Sequence, residues 1–143
     1  MERSVGVDSS QVAIEAQRAA FVVSSELMSV AQITSIMGYQ ADFSLAKGAI
    51  RQGARARIPA RRSSWEIRET ADSITEAIEN LLRRLRPVRD ELRELRNLGC
   101  SARFSIVQQV VPDSDLGFAI DVEDVRLLAD VGALIDVDQY IEF

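Results

Sequence analysis

The sequence predicts an α+β fold: a mainly antiparallel sheet of about five strands, with a long helix interrupted at Pro87 and two shorter helices packed mostly on one face. Two observations carry this. Alternating or β-branched stretches ("RAAFVVSS", "SSWEI", "SARFSIVQ", "ALIDVDQYI") recur between helical ones, and "SARFSIVQQVV", "PDSD" and "LGFAI" read as strand, turn and strand. A third observation argues against a doubly wound sheet: no strand is followed by a glycine-rich phosphate loop.

"QRAAFVVSS" is nearly free of charge and puts Ala19, Phe21 and Val23 on one face, with Ala20 and Val22 on the other, as in a buried strand. In "SVAQITSIMG", Ser29 and Gln32 have capping-box spacing, Val30, Ile33 and Met37 share a face, and Gly38 closes a short helix. From residue 39 to 64 no period survives, and glycines recur while Pro59 interrupts, which reads as a long basic loop, with at most a frayed strand. "SSWEIRE" restarts order, with Trp65 and Ile67 facing one way and Glu66 and Arg68 the other.

The longest amphipathic pattern follows. Ile74, Ile78, Leu81, Leu82 and Leu85, then Val88, Leu92, Leu95 and Leu98, keep helical spacing up to Gly99. Pro87 removes a donor and clashes with the preceding turn, so the helix kinks or two helices meet there. Glu79 with Arg83, and Arg86 with Asp90, are spaced as solvent-side ion pairs. Beyond the strand pair expected across "PDSD", Asp121 is placed to cap a helix that ends at Gly132, and a last strand puts Ile135, Val137 and Ile141 on one face and Asp136, Asp138 and Tyr140 on the other. "RAAFVVSS" and "SARFSIVQ" are alike enough to suggest a weak duplication.

The 143 residues are the size of one domain, expected to span the whole chain, with 1–16 disordered or extending a strand. No stretch approaches the roughly 20 apolar residues needed to span a bilayer, and no signal-peptide pattern opens the chain, so the expected setting is the cytoplasm, away from membranes. There is no histidine, which removes an ordinary member from Ser-His-Asp and Cys-His hydrolysis, from imidazole base catalysis and from the usual zinc sites. The single Cys100 has no internal disulfide partner and reads as a small half-buried side chain.

Charge is unevenly distributed. The formal net charge is -5, yet "KGAIRQGARARIPARRSSW" carries Lys47, Arg51, Arg55, Arg57, Arg61 and Arg62 without an acid. From Cys100 onward, acids face only Arg103 and Arg126. The arginine-rich stretch, with Trp65 to stack on a base, forms a candidate nucleic-acid grip; a solvated or protein-facing loop suits the acidic chain better. Asp136 and Asp138, about 7 Å apart by strand geometry, could hold a divalent cation with Asp113, Asp115 or Asp121, but nothing has calcium-loop spacing, and a charge-protected edge strand accounts for them without one. As acid and base the same carboxylates lack a visible pocket. The leucine rows of the long helix read first as packing on the sheet, with a dimer or partner face as the alternative.

Read in order, "ITSIMG" after the first strand, "KGA", "SSWEI", "ENLLRRLRPVRDELRELRNLGC" and "LLADVGALIDVDQYI" resemble the bacterial family known as domain of unknown function 4279, over nearly everything from Phe21 to the end. Members often carry a proline soon after the first helix, in a leucine-glycine-x-x-proline pattern; this chain has "MGYQADF" and a longer loop. The resemblance implies no catalytic residue, and by loose analogy it implies an accessory binder such as a toxin-neutralising immunity protein.

The expectation is therefore a non-enzymatic protein-interaction domain without metal or cofactor, with a protein partner or a second copy bound through Arg51, Arg55, Arg57, Arg61, Arg62, Trp65, Asp136, Asp138 and Tyr140. Nucleic-acid binding through the stretch from 47 to 62 is the alternative, and an Asp/Glu-dependent enzyme a weaker one.

Overall fold

A computed structural model describes residues 17–53, 55, 57–110 and 117–141. Strands β1 (Arg18–Ser25), β2 (Phe43–Leu45), β3 (Ser63–Thr70), β4 (Ser101–Val110) and β5 (Ala133–Ile141) form one sheet in the order β2-β3-β1-β4-β5. All neighbours are antiparallel except β4 and β5, so the α+β sheet is mixed but mostly antiparallel. Helix α1 spans Val30–Met37, α2 Ile74–Leu85, α3 Arg89–Asn97 and α4 Val122–Asp130.

The two sides of the sheet are set by strand alternation. Phe21 stands opposite Ile67 and Phe104, and Val23 opposite Trp65, all fully or almost fully buried. Against this face pack Ile33 of α1, Leu81 and Leu85 of α2, Leu92 and Leu95 of α3, and Leu127 and Leu128 of α4, in one apolar cluster. The helices thus cover one face, and Val22, Ser24, Ser64, Glu66, Arg68, Arg103 and Ser105 lie on the other.

Local signals act as the residues demand. Ser29 Oγ accepts from the Gln32 N–H at 3.1 Å while Gln32 Oε1 accepts from the Ser29 N–H at 2.9 Å, and Gly38 closes α1 at φ 85°. At Pro87 the long helix passes through a single 3₁₀ turn, Arg86–Val88, between α2 and α3.

That turn corrects one expected pairing. With three residues per turn the four-residue overlay is lost, and Arg86 reaches away from Asp90. Its Nε and Nη2 donate to Asp124 Oδ1 and Oδ2, both at 3.0 Å, and Nη1 donates to Glu79 Oε2 at 2.9 Å. Arg89 and Arg93 converge on Asp130 at 2.8 and 2.7 Å, so arginines of the long helix clamp α4 by both ends.

The expected hairpin after β4 is also corrected. Residues 117–120 form no strand, and Leu116 and the "PDSD" turn lie outside the described residues, as does 1–16. Phe118 and Ile120 instead pack half-buried against the core on the way into α4. A helix between two strands carries the chain back along the sheet, so β5 joins β4 in parallel, Phe104 beside Ile135 and Ile106 beside Val137. The fifth strand comes from within residues 39–64, as β2, where only a frayed strand was expected.

Candidate binding face and the basic hairpin

The basic stretch is folded back on itself. β2 and β3 are antiparallel, and their pairing extends past Leu45: the Gly48 N–H donates to Ala60 O and the Ala60 N–H to Ala49 O, both at 2.8 Å, with Ile50 bridged to Pro59. Gly48 and Gly53 take φ 89° and 80°, a backbone that side chains with a Cβ rarely adopt. Residues 46–53 and 57–62 therefore form the two arms of a hairpin tongue rather than an unstructured loop. Its root is tied down, since Lys47 Nζ donates to Glu26 O at 3.0 Å, and Arg62 pairs with Glu26 Oε2 at 3.2 Å and donates to Ser101 Oγ.

Arg51, Arg55, Arg57 and Arg61 beyond the root are exposed, and none of them stands within ion-pair distance of an acid among the described residues. Arg51 reaches over the uncovered face of the sheet, where it edges two shallow hollows. One, of about 260 Å³, is lined also by Ser24, Ser64, Arg103 and Leu134. The other, of about 410 Å³, lies toward β2, over Phe43 and Arg68. Arg68 itself is occupied: it pairs with Glu66 at 2.8 Å, and its guanidinium sits 3.9 Å above the Phe43 ring.

The arginines are sorted by side. On the helices, Arg83, Arg84, Arg86, Arg89, Arg93 and Arg126 each have a carboxylate partner, and Arg96 donates to Asp130 O. Arg84 holds Asp42 and Glu69 together at 2.9 Å each, and its hydrogen bond lowers the Asp42 pKa below the ordinary value. Arg86 lowers Glu79 in the same way, and Arg89 and Arg93 lower Asp130. Arg18, Arg51, Arg55, Arg57, Arg61 and Arg103 lack an ion-paired carboxylate among the described residues, and all belong to the uncovered sheet face or the tongue.

Trp65 does not belong to this surface. Its strand register turns it under α1, where it is fully buried, donates from Nε1 to Thr34 Oγ1 at 3.1 Å and meets the Tyr39 ring at 5.7 Å edge to face. It cannot stack on a base, which corrects its place among the candidate contacts. Cys100 is half-buried with Sγ 3.5 Å from Met28 Sδ, and burial pushes its pKa up, against a nucleophilic thiol.

Asp136, Asp138 and Tyr140 run along β5, beside Ser105, Val107 and Gln109, at the sheet edge opposite the tongue's strands. Among the described residues no three His, Cys, Asp or Glu side chains gather closely enough to hold a metal ion, and Asp113 and Asp115 lie outside those residues. No helix of the described residues is long and apolar enough to cross a membrane. The structure thus joins Arg51 to Arg103, which sequence reasoning left aside, and separates both from Asp138 and Tyr140. The alternation in "SARFSIVQ" already put Arg103 on the polar side of its strand, the one signal that could have found it.

Fold and site together define an α+β protein with helices on one face of a mixed sheet and an arginine-bearing hairpin over the other. The chain belongs to the DUF4279 family, a domain of unknown function, whose profile matches residues 15–142. No curated protein and no solved structure matches the chain.

Proposed function

We propose that the protein is a non-enzymatic interaction protein, of the immunity-protein kind, that takes an acidic protein surface on its basic hairpin and the adjoining open sheet face. The sorting of the arginines carries this reading. A chain of net charge -5 has carboxylates to spare and uses them on the helices, yet among the described residues it leaves Arg51, Arg55, Arg57, Arg61 and Arg103 without one on a single side. Unpaired guanidiniums projecting on a tethered hairpin suit electrostatic steering and carboxylate recognition. A protein partner is favoured over nucleic acid because Trp65 is buried and the chain as a whole is acidic. A cytoplasmic setting belongs to the same reading, supported by the lone unpaired cysteine.

A labelled oligoglutamate peptide and a labelled single-stranded oligonucleotide, titrated at two salt concentrations, test it. The parent should bind the peptide, more weakly at high salt, and lose that binding when Arg51, Arg55, Arg57 and Arg61 are replaced by Ser, with folding scarcely altered because exposed charges contribute little to stability. The reading fails if the peptide does not bind, if the variant binds it equally, or if the oligonucleotide binds more tightly, with a log–log salt slope reduced by about 1 per arginine removed.

A further inference from the structure

β5 is an edge strand, and among the described residues nothing pairs with its outer side. A charge-protected edge needs no apolar flank, but this one has one. Ile135, Val137 and Ile141 point to the helix side of the sheet and are still 43%, 43% and 56% exposed. On α4, Asp124, Leu127 and Leu128 turn inward and Asp130 turns to the long helix, which leaves Val122 and Val125, also exposed, on the flank away from it. The edge therefore offers unpaired backbone with an apolar row on one side and Asp136 and Asp138 on the other.

Two β5 strands do not suit each other. Antiparallel pairing about their centres sets Asp136 of one against Asp138 of the other, and like charges directly opposite are destabilising. The complementary strand has basic residues alternating with apolar ones. The chain carries such a stretch in its own tongue, "ARARI", residues 54–58: Arg55 and Arg57 are unpaired and exposed, and Ile58 is 68% exposed. Within one molecule the tongue pairs with itself through Ile50 and Pro59 and leans over the open face, where Arg51 shares a hollow with Leu134 of β5, but no described residue of it pairs with the outer edge of that strand.

We propose that the outer edge of β5 takes the tongue segment Arg55–Ile58 of a second copy, with Arg57 against Asp136, Arg55 against Asp138 and Ile58 against Ile135, so that copies join head to tail. This rests on the reading of the tongue as a ligand for an acidic protein surface and names that surface. Antiparallel addition puts both charge pairs on the open face and Ile58 on the apolar row, and Pro59, which has no N–H to donate, ends the pairing. The interface is heterologous, since each copy presents a tongue at one edge and an acceptor at the other, and it therefore builds chains or closed rings rather than symmetric dimers.

Sedimentation velocity at low salt tests it with two charge-reversed proteins. One carries Arg55→Glu with Arg57→Glu, the other Asp136→Lys with Asp138→Lys; all four positions are surface sites, and circular dichroism checks that both fold. The parent should form species that grow with concentration and shrink with salt. Each variant alone should be monomeric, and an equal mixture should regain the association of the parent, because the arginine tongue of one fits the aspartate edge of the other and the glutamate tongue fits the lysine edge. Combining all four reversals should restore association. A parent that stays monomeric, a variant that associates as the parent does, or a mixture that fails to pair overturns the proposal. So does slow amide exchange along β5 in the monomeric tongue variant, which would mean that the chain covers its own edge. Should the parent bind oligoglutamate and yet stay monomeric, this inference alone falls; should it do neither, the reading of the tongue falls with it.

Discussion

Arg86 and Asp124 hold α4, and through it the start of β5, against the long helix, and their contribution can be worked from the geometry. Two hydrogen bonds of 3.0 Å join the guanidinium to a carboxylate whose side chain is 10% exposed, while Arg86 itself is 40% exposed. Breaking a fully buried pair costs about 3–5 kcal/mol, and an exposed pair is worth about 0–1 kcal/mol. The half-open guanidinium brings the expected cost of Arg86→Ala down to about 2 kcal/mol, most of it the penalty of an unpaired carboxylate at Asp124. In a chain of this length that is a fall in Tm of about 4–8 °C. The assay is a double-mutant cycle of Arg86→Ala, Asp124→Ala and the pair, followed by thermal and urea unfolding. We expect a coupling of about 1–2 kcal/mol, with the double variant no less stable than the sum of the singles. A coupling under about 0.5 kcal/mol would refute the view that this pair fastens α4.

Leu85→Asp should unfold or precipitate the protein, because Leu85 is fully buried and a carboxylate there has no partner; a soluble variant with unchanged Tm would mean that this face of the helix is not core. Acid should destabilise the parent through Glu79, Asp42 and Asp130, whose pKa values arginines hold below the ordinary 4.5 for Glu and 3.8 for Asp. Because the folded values are lower than the unfolded ones, this stabilisation is complete above the ordinary values and is lost as pH falls through the folded ones. Tm measured across that range should therefore decline most steeply below about pH 4.5, and Arg84→Met should flatten the decline; a Tm independent of pH there would contradict it.

Much of the fold was legible because it depends on local periodicity. Alternation placed Phe21, Ile67 and Phe104 on one side of their strands, the leucine rows gave the buried stripe of the long helix, and Ser29 with Gln32 and Gly38 marked both ends of α1. The buried face of Trp65 was in the same alternation, but its surface role was set by residue type, a stacking aromatic next to arginines, and residue type does not outweigh register. The long basic loop read as irregular because the tongue's pairing is brief and its glycines and Pro59 resemble loop punctuation.

What the sequence determined by itself is the long helix, the two shorter helices and the strands β1, β3, β4 and β5, which side of each is apolar, that histidine chemistry is absent, and that basic and acidic stretches are kept apart along the chain. Only the tertiary structure decided that β5 lies parallel to β4, that Arg86 leaves Asp90 for Asp124 and that Arg51 meets Arg103 over one hollow. The reason is physical. Side-chain patterning reports the burial of each residue one at a time, whereas strand partners and ion pairs join groups far apart in sequence, through backbone donors and acceptors that are alike at nearly every residue and guanidiniums that suit any carboxylate in reach.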